Sequence, residues 1–335
     1  MIAILKKSAA LLSICVLGNF PGIAQLADSV EVAISVNGNS MQTKGTSIKM
    51  GRLQTAGKAW RNMILSTPGD FVQMGNIVSK DWGKTAAYLG GISVLILADK
   101  PVTQFYQDHI EKAIDYNLPS PPGLFNSPLL RGNDGYLNYS IIGLYGGSLI
   151  ANYKTGQRAA LNSIKALTYS YLFCHVGLKA VFARQRPDPT LSDGIDPEPP
   201  FTSNPHHFFN FRKLNFKTGA YGTSFPSMHA TSYFAVAKVM AMEFDNYWIP
   251  YGAISFIFLA DLDGHQHWIG DMIAGGLLGT LMGKAIVINS RKWEKKQEQQ
   301  RLGLSRHRNR KFNLNYQILP MVSTTSAGVN LFASF

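Results

Sequence analysis

Residues 157–184, QRAALNSIKALTYSYLFCHVGLKAVFAR, decide the fold. The run is too long for a strand and holds no proline. Its apolar positions recur at helical spacing, so it reads as a long helix that ends before Pro187. Four segments of the same character surround it, at 138–153, 227–244, 248–262 and 268–289. Toward the N-terminus, 53–78 is mixed and amphipathic, 84–98 is apolar, and 103–116 carries Phe105, His109, Ile110 and Ile114 at helical spacing. The proline-rich stretch Pro119 to Pro128 breaks this series, and 188–224, rich in Pro, Asp, Gly and Ser, reads as a long loop. The expected fold class is therefore all-α: a helical bundle of about six core helices with a short β-hairpin at the C-terminus. The hairpin is read from the alternation of Phe312, Leu314, Tyr316 and Ile318, and again of Val329, Leu331, Ala333 and Phe335. A short alternating run at Val32, Ile34 and Val36 is a candidate third strand to pair with it.

With 46% hydrophobic residues in 335, the chain can bury a substantial core, so disorder is not the expectation. The net charge of +12 is concentrated in one segment, where Arg291, Lys292, Lys295, Lys296, Arg301, Arg306, Arg308, Arg310 and Lys311 face only Glu294 and Glu298. A basic tail after the last apolar helix fits positive-inside anchoring or lipid headgroups better than a nucleic-acid fold; a solvated helical extension explains it equally well. Lys165, Lys179, Lys238 and Lys284 interrupt the apolar runs, none of which clearly reaches the ~20 residues of a confident span, so the bundle is expected and spanning is left open. The opening MIAILKKSAALLSICVLGNFPGIAQ has Lys6 and Lys7, an apolar run from Ala9 to Leu17, and small residues around Ala24. It reads as a signal peptide cut near Ala24, which implies export to a bacterial envelope, in the periplasm or at the cell membrane. Cys15 would leave with it, so Cys174 alone remains and no internal disulfide forms. The expected organisation is 1–24 signal peptide, 25–83 amphipathic segment, 84–290 helical domain, and 291–335 basic linker and hairpin.

Three clusters carry chemistry. Lys179 to Pro187, KAVFARQRP, ends the long helix with fixed cations, and Arg186 can fork onto two phosphate oxygens. Ser224 to His229, SFPSMH, stands where a loop enters an apolar helix; the unpaired N–H groups of that first turn and the Ser227 hydroxyl can hold an anion. Asp261 to Asp271, DLDGHQHWIGD, places His267 and Asp271 four apart, so a carboxylate can orient the imidazole and leave its other nitrogen free to attack. Each motif singly has an ordinary explanation: a basic helix end, an N-capping Ser with a core His, a surface ion pair, or a metal cluster in the third case.

Taken together, in this order and spacing, the clusters resemble the superfamily of type-2 phosphatidic acid phosphatases and vanadium-dependent haloperoxidases, with its KxxxxxxRP, PSGH and SRxxxxxHxxxD motifs. The resemblance covers about 179–280 and implies a helical bundle and metal-independent hydrolysis of a phosphomonoester or diphosphate, on a lipid, through a phosphohistidine. It implies His267 as nucleophile, Asp271 as its orienter, His229 as the acid for the leaving oxygen, and Lys179, Arg186, Ser227 and the Met228 N–H as phosphate ligands. Two positions depart from the pattern. Asp261 stands where the family has Arg, with Ala260 for its Ser, and Met228 replaces Gly. An anion near the phosphate requires Asp261 to turn away, to pair with a cation, or to be replaced in function by Arg184. Met228 adds a side chain where a positive φ would be strained. A catalytically lapsed member that binds an anionic lipid or a partner is therefore the alternative, and vanadate-dependent halide oxidation the third reading.

Overall fold

A break at Ser66 divides the amphipathic N-terminal stretch into two helices, α1 (Arg52–Leu65) and α2 (Thr67–Lys80), where the sequence suggests one. Pro68 explains the difference: its fixed φ and missing N–H suit a first helical turn and not a helix interior. The computed structural model describes residues 51–113, 118–119, 132–194, 197, 200–211, 223–260, 267–301, 315–322 and 327–334. The expected signal peptide and the run at 32–36 lie outside them.

Asp81 caps α3 (Trp82–Leu97) by accepting the Lys84 N–H at 3.1 Å. The chain then bends by 72° into α4 (Asp99–Phe105), which continues through a wide turn at Tyr106–Ile110 and a tight one at Glu111–Ala113. This helix begins earlier than its apolar periodicity indicates, because Pro101 is accommodated in its first turn. After α5 (Gly132–Ile150), α6 (Lys154–Tyr169) runs through wide π-type turns at Ser170–Leu178 into α7 (Lys179–Phe182), one rod from 154 to 182. The widened turns keep Ser170, Cys174, His175 and Lys179 all facing inward. Next come α8 (Met228–Glu243), α9 (Trp248–Ala260) and α10 (Ile269–Arg301). Arg291 to Arg301, set apart as a linker by its charge, continues α10; Lys, Glu, Gln and Arg are strong helix formers and favour the helical-extension reading.

The centre of the bundle is α8. One apolar cluster joins its Tyr233, Val236 and Ala237 to Leu137 and Ile141 of α5, Ala160 of α6 and Ile254 of α9. A second joins its Ala235 and Val239 to Tyr169 of α6 and to Met282, Ile286 and Val287 of α10. The approach of α10 to α8 rests on Gly275, Gly279 and Gly283, one per turn. A Cβ at Gly275 or Gly283 would lie 2.5 Å from the carbonyl oxygen of Ser227 or Ala235, and one at Gly279 would overlap that of Thr231. Away from the site, buried Asp70 accepts from Lys165 Nζ at 2.9 Å, Tyr169 Oη at 2.7 Å and Asn289 Nδ2 at 2.8 Å, pinning α2 to α6 and α10.

The loop after α7 is partly ordered into structure: β1 (Arg186–Pro187) pairs in parallel with β2 (Phe201–Thr202). Residues through Lys292 make one compact unit and those from Trp293 a second. Within the second, β3 (Asn315–Val322) and β4 (Ala327–Ser334) pair antiparallel from Asn315↔Ser334 to Val322↔Ala327. Among the described residues, α10 is the one unbroken helix long and apolar enough to cross a membrane, with half of its apolar window buried; α3 and the bent helix after it meet the same test as a pair.

Candidate active site

Lys179 arrives on α7 at the end of the rod, and Ala183 then turns the chain with φ of 41°, a left-handed conformation that donates its N–H back to Lys179 O at 3.0 Å. The reversal sends Arg184 and Arg186 inward. Arg186 is buried, and burial pushes its guanidinium down to about 10. Lys179 is pushed down to about 8, first by burial and then by the Arg186 cation. Two buried cations that repel each other make a place that an anion would stabilise.

Arg184 has a different setting. It is fully buried, with Nη1 donating to Asp271 Oδ1 at 2.5 Å, Nη2 to Asp99 Oδ2 at 2.8 Å, and Nε to Pro205 O at 2.9 Å. Its guanidinium lies 4.9 Å from the Phe208 ring and 5.1 Å from that of Trp268. All three nitrogens are engaged, so Arg184 holds the orienting carboxylate and is not directed at a phosphate.

The first turn of α8 stands against the first turn of α10. Ser227 caps α8, its hydroxyl accepting the Ala230 N–H at 3.3 Å, while its own N–H donates to Asp271 O at 3.0 Å. The cap leaves the Ser227 hydroxyl proton available to a ligand oxygen. Met228 opens α8 and is absent from the positive-φ positions, so its side chain brings none of the backbone strain that the lost glycine suggests. His229 follows, with Nε2 at 3.6 Å from Asp134 Oδ2.

On the α10 side, His267 stands just before the helix begins rather than on its face; it is buried, and its Nδ1 lies 3.8 Å from Asp271 Oδ2. This is an ion-pair distance rather than a hydrogen bond. Trp268 fixes the segment by donating Nε1–H to Gln185 O at 2.9 Å. Asp261 lies outside the described residues, as do Asp263 and His265. Among the described residues no cluster of three His, Cys, Asp or Glu side chains could hold a metal.

Lys179, Arg186, Ser227, His267 and Asp271 thus meet at one end of the bundle, where α7 ends and α8 and α10 begin. Residues 159–295, which include all of them, match the family model described as PAP2 superfamily. Over this stretch the chain belongs to the PAP2 superfamily. The match supports phosphatase-type activity, a phosphoester hydrolase, at that coarse level. No curated protein and no solved structure matches the chain. Asp99 and Asp134 fall outside the matched stretch. Sequence reasoning passed over both, although a lone Asp ending the apolar run 84–98 was a usable signal, since a carboxylate entering a core needs a partner.

Proposed function

We propose that the protein removes the terminal phosphoryl group from an anionic lipid, a phosphomonoester or diphosphate, through a phosphohistidine on His267. One observation carries the reading: two buried cations, Lys179 and Arg186, stand with the His267–Asp271 pair and the N-terminal turn of α8. In the reaction, Lys179, Arg186, Ser227 Oγ–H and the N–H of Met228 offset the charge on the phosphoryl oxygens. His267 Nε2 forms a bond to phosphorus as the bond to the leaving oxygen breaks, and His229 gives that oxygen its proton. Water then attacks the phosphohistidine, passes a proton to His229, and phosphate departs with the P–N bond broken. Asp271, its Oδ2 3.8 Å from His267 Nδ1, orients the ring and balances the cation that forms on it.

Exposed apolar surface supports a lipid substrate and a membrane site. No residue of α3 is buried, and Leu89, Val94 and Leu97 are 57%, 64% and 71% exposed. Trp248, opening α9, is 90% exposed. Apolar surface this extensive favours a bilayer, with α10 crossing it. The basic cluster Arg291 to Lys296 then lies on the inner side and His267 at the outer end, consistent with export by a signal peptide.

The test is phosphate release from lipid phosphates in mixed micelles, abolished by His267→Ala. Wild-type protein without turnover would remove the proposal. Arg184's engagement favours one second reading, a lapsed member that binds anionic lipid, since no described arginine takes the place of the family's third-motif Arg. Asp261→Arg separates the two: a large gain in turnover favours the lapsed reading, a loss favours the working site.

A further inference from the structure

We infer that Asp99 is a positioning residue for this site: through Arg184 it fixes the carboxylate of Asp271 and keeps one net negative charge beside the His267 imidazole. The inference rests on the proposed role of His267 and adds a residue from outside the superfamily match. Asp99 is fully buried at the start of α4. Its Oδ2 accepts from Arg184 Nη2 at 2.8 Å, and its Oδ1 accepts the Gly270 N–H at 2.7 Å. Thr103, one turn on, accepts the Ile269 N–H at 3.2 Å, so α4 grips the first turn of α10 beside the His267–Asp271 pair. Residue 270 has to be glycine for this contact, because a Cβ there would stand 2.6 Å from Asp99 Oδ2.

The charge count gives the grip its chemical consequence. Arg184 is shared by two carboxylates, Asp99 and Asp271, so the buried triad carries one negative charge in excess. Without Asp99, Arg184 and Asp271 form a neutral pair, and the cation that develops on His267 in the phosphohistidine loses its counter-charge. Arg184 would also lose the second anchor that sets its angle, and with it the position of Asp271 Oδ1. Among the described residues, the charged groups around the pair are Arg184, Asp99, Lys179 and Arg186, from α4, α7 and the segment after it. Only Asp99 is altered by the test below.

Asp99→Asn keeps an acceptor for the Gly270 N–H and removes the charge. Full-length protein in detergent micelles, labelled in its histidine rings, is titrated by NMR, with His267→Ala assigning the signal. The midpoint of His267 is expected to fall by about one pH unit. Turnover of a short-chain lipid phosphate should fall about tenfold to hundredfold with KM nearly constant. Thr103→Val, which removes a cap and no charge, should leave the midpoint in place. A His267 midpoint unmoved in folded Asp99→Asn overturns the inference. If that variant does not fold, Asp99→Glu decides, since its added methylene displaces the charge from Arg184; undiminished turnover overturns it. Wild-type protein that releases no phosphate defeats the proposed function, while the titration still reports on Asp99.

Discussion

Replacing Gly275 by Ala tests whether close approach of α10 to α8 sets the site. The added Cβ would meet Ser227 O at 2.5 Å, with Ala230 Cβ and Thr231 Oγ at 3.2 Å. A carbon–oxygen contact relaxes only near the van der Waals separation, so the helices must part locally by about 1 Å. The obstacle is backbone, with no flexible side chain to swing aside, and overpacking of this kind costs about 1–3 kcal/mol. Parting also pulls on the Ser227 N–H bond to Asp271 O, 3.0 Å in length, which links the α8 turn to the residue that orients His267. Misplacement of a catalytic group by this amount lowers turnover about a hundredfold. The control is next door: Ala at Gly276 meets only the Phe234 ring, at 3.5 Å, an ordinary contact, and should be neutral or stabilise the helix by up to about 1 kcal/mol. Thermal unfolding in detergent and phosphate release from a micellar lipid phosphate, measured on both variants, check the pair. Gly275→Ala with wild-type stability and turnover would refute the reasoning.

Two other outcomes follow from the site and its surface. Lys179 is a cation below its folded value of about 8 and neutral above it, so kcat/KM should decline as pH rises through that value, while Lys179→Arg moves the decline to higher pH. A profile flat to about pH 9.5, or an unmoved limb in Lys179→Arg, would contradict this. If α10 crosses the bilayer, the protein stays in the membrane pellet after an alkaline carbonate wash, and release into the supernatant counts against spanning.

The long helix at 157–184 and its neighbours were legible because periodicity depends on residues a few positions apart, and these carry their own signal. His267 and Asp271 were legible as a pair because they are four apart in sequence, although His267 stands two residues before α10 begins and only Asp271 is in the helix. Pro68 and the π-type turns at Ser170–Leu178 were not, since a single residue or a single extra step in a helical turn barely alters the apolar pattern.

Sequence alone determined the helical class, the residues of the three motifs and the concentration of charge after the last apolar helix. Tertiary structure decided what Arg184 does. Its partners Asp99 and Asp271 lie 85 and 87 residues away, and no spacing rule reaches that far. Such a contact exists only because the glycine face of α10 lets it settle against α8, and because Gly270 leaves room for a buried carboxylate at its side.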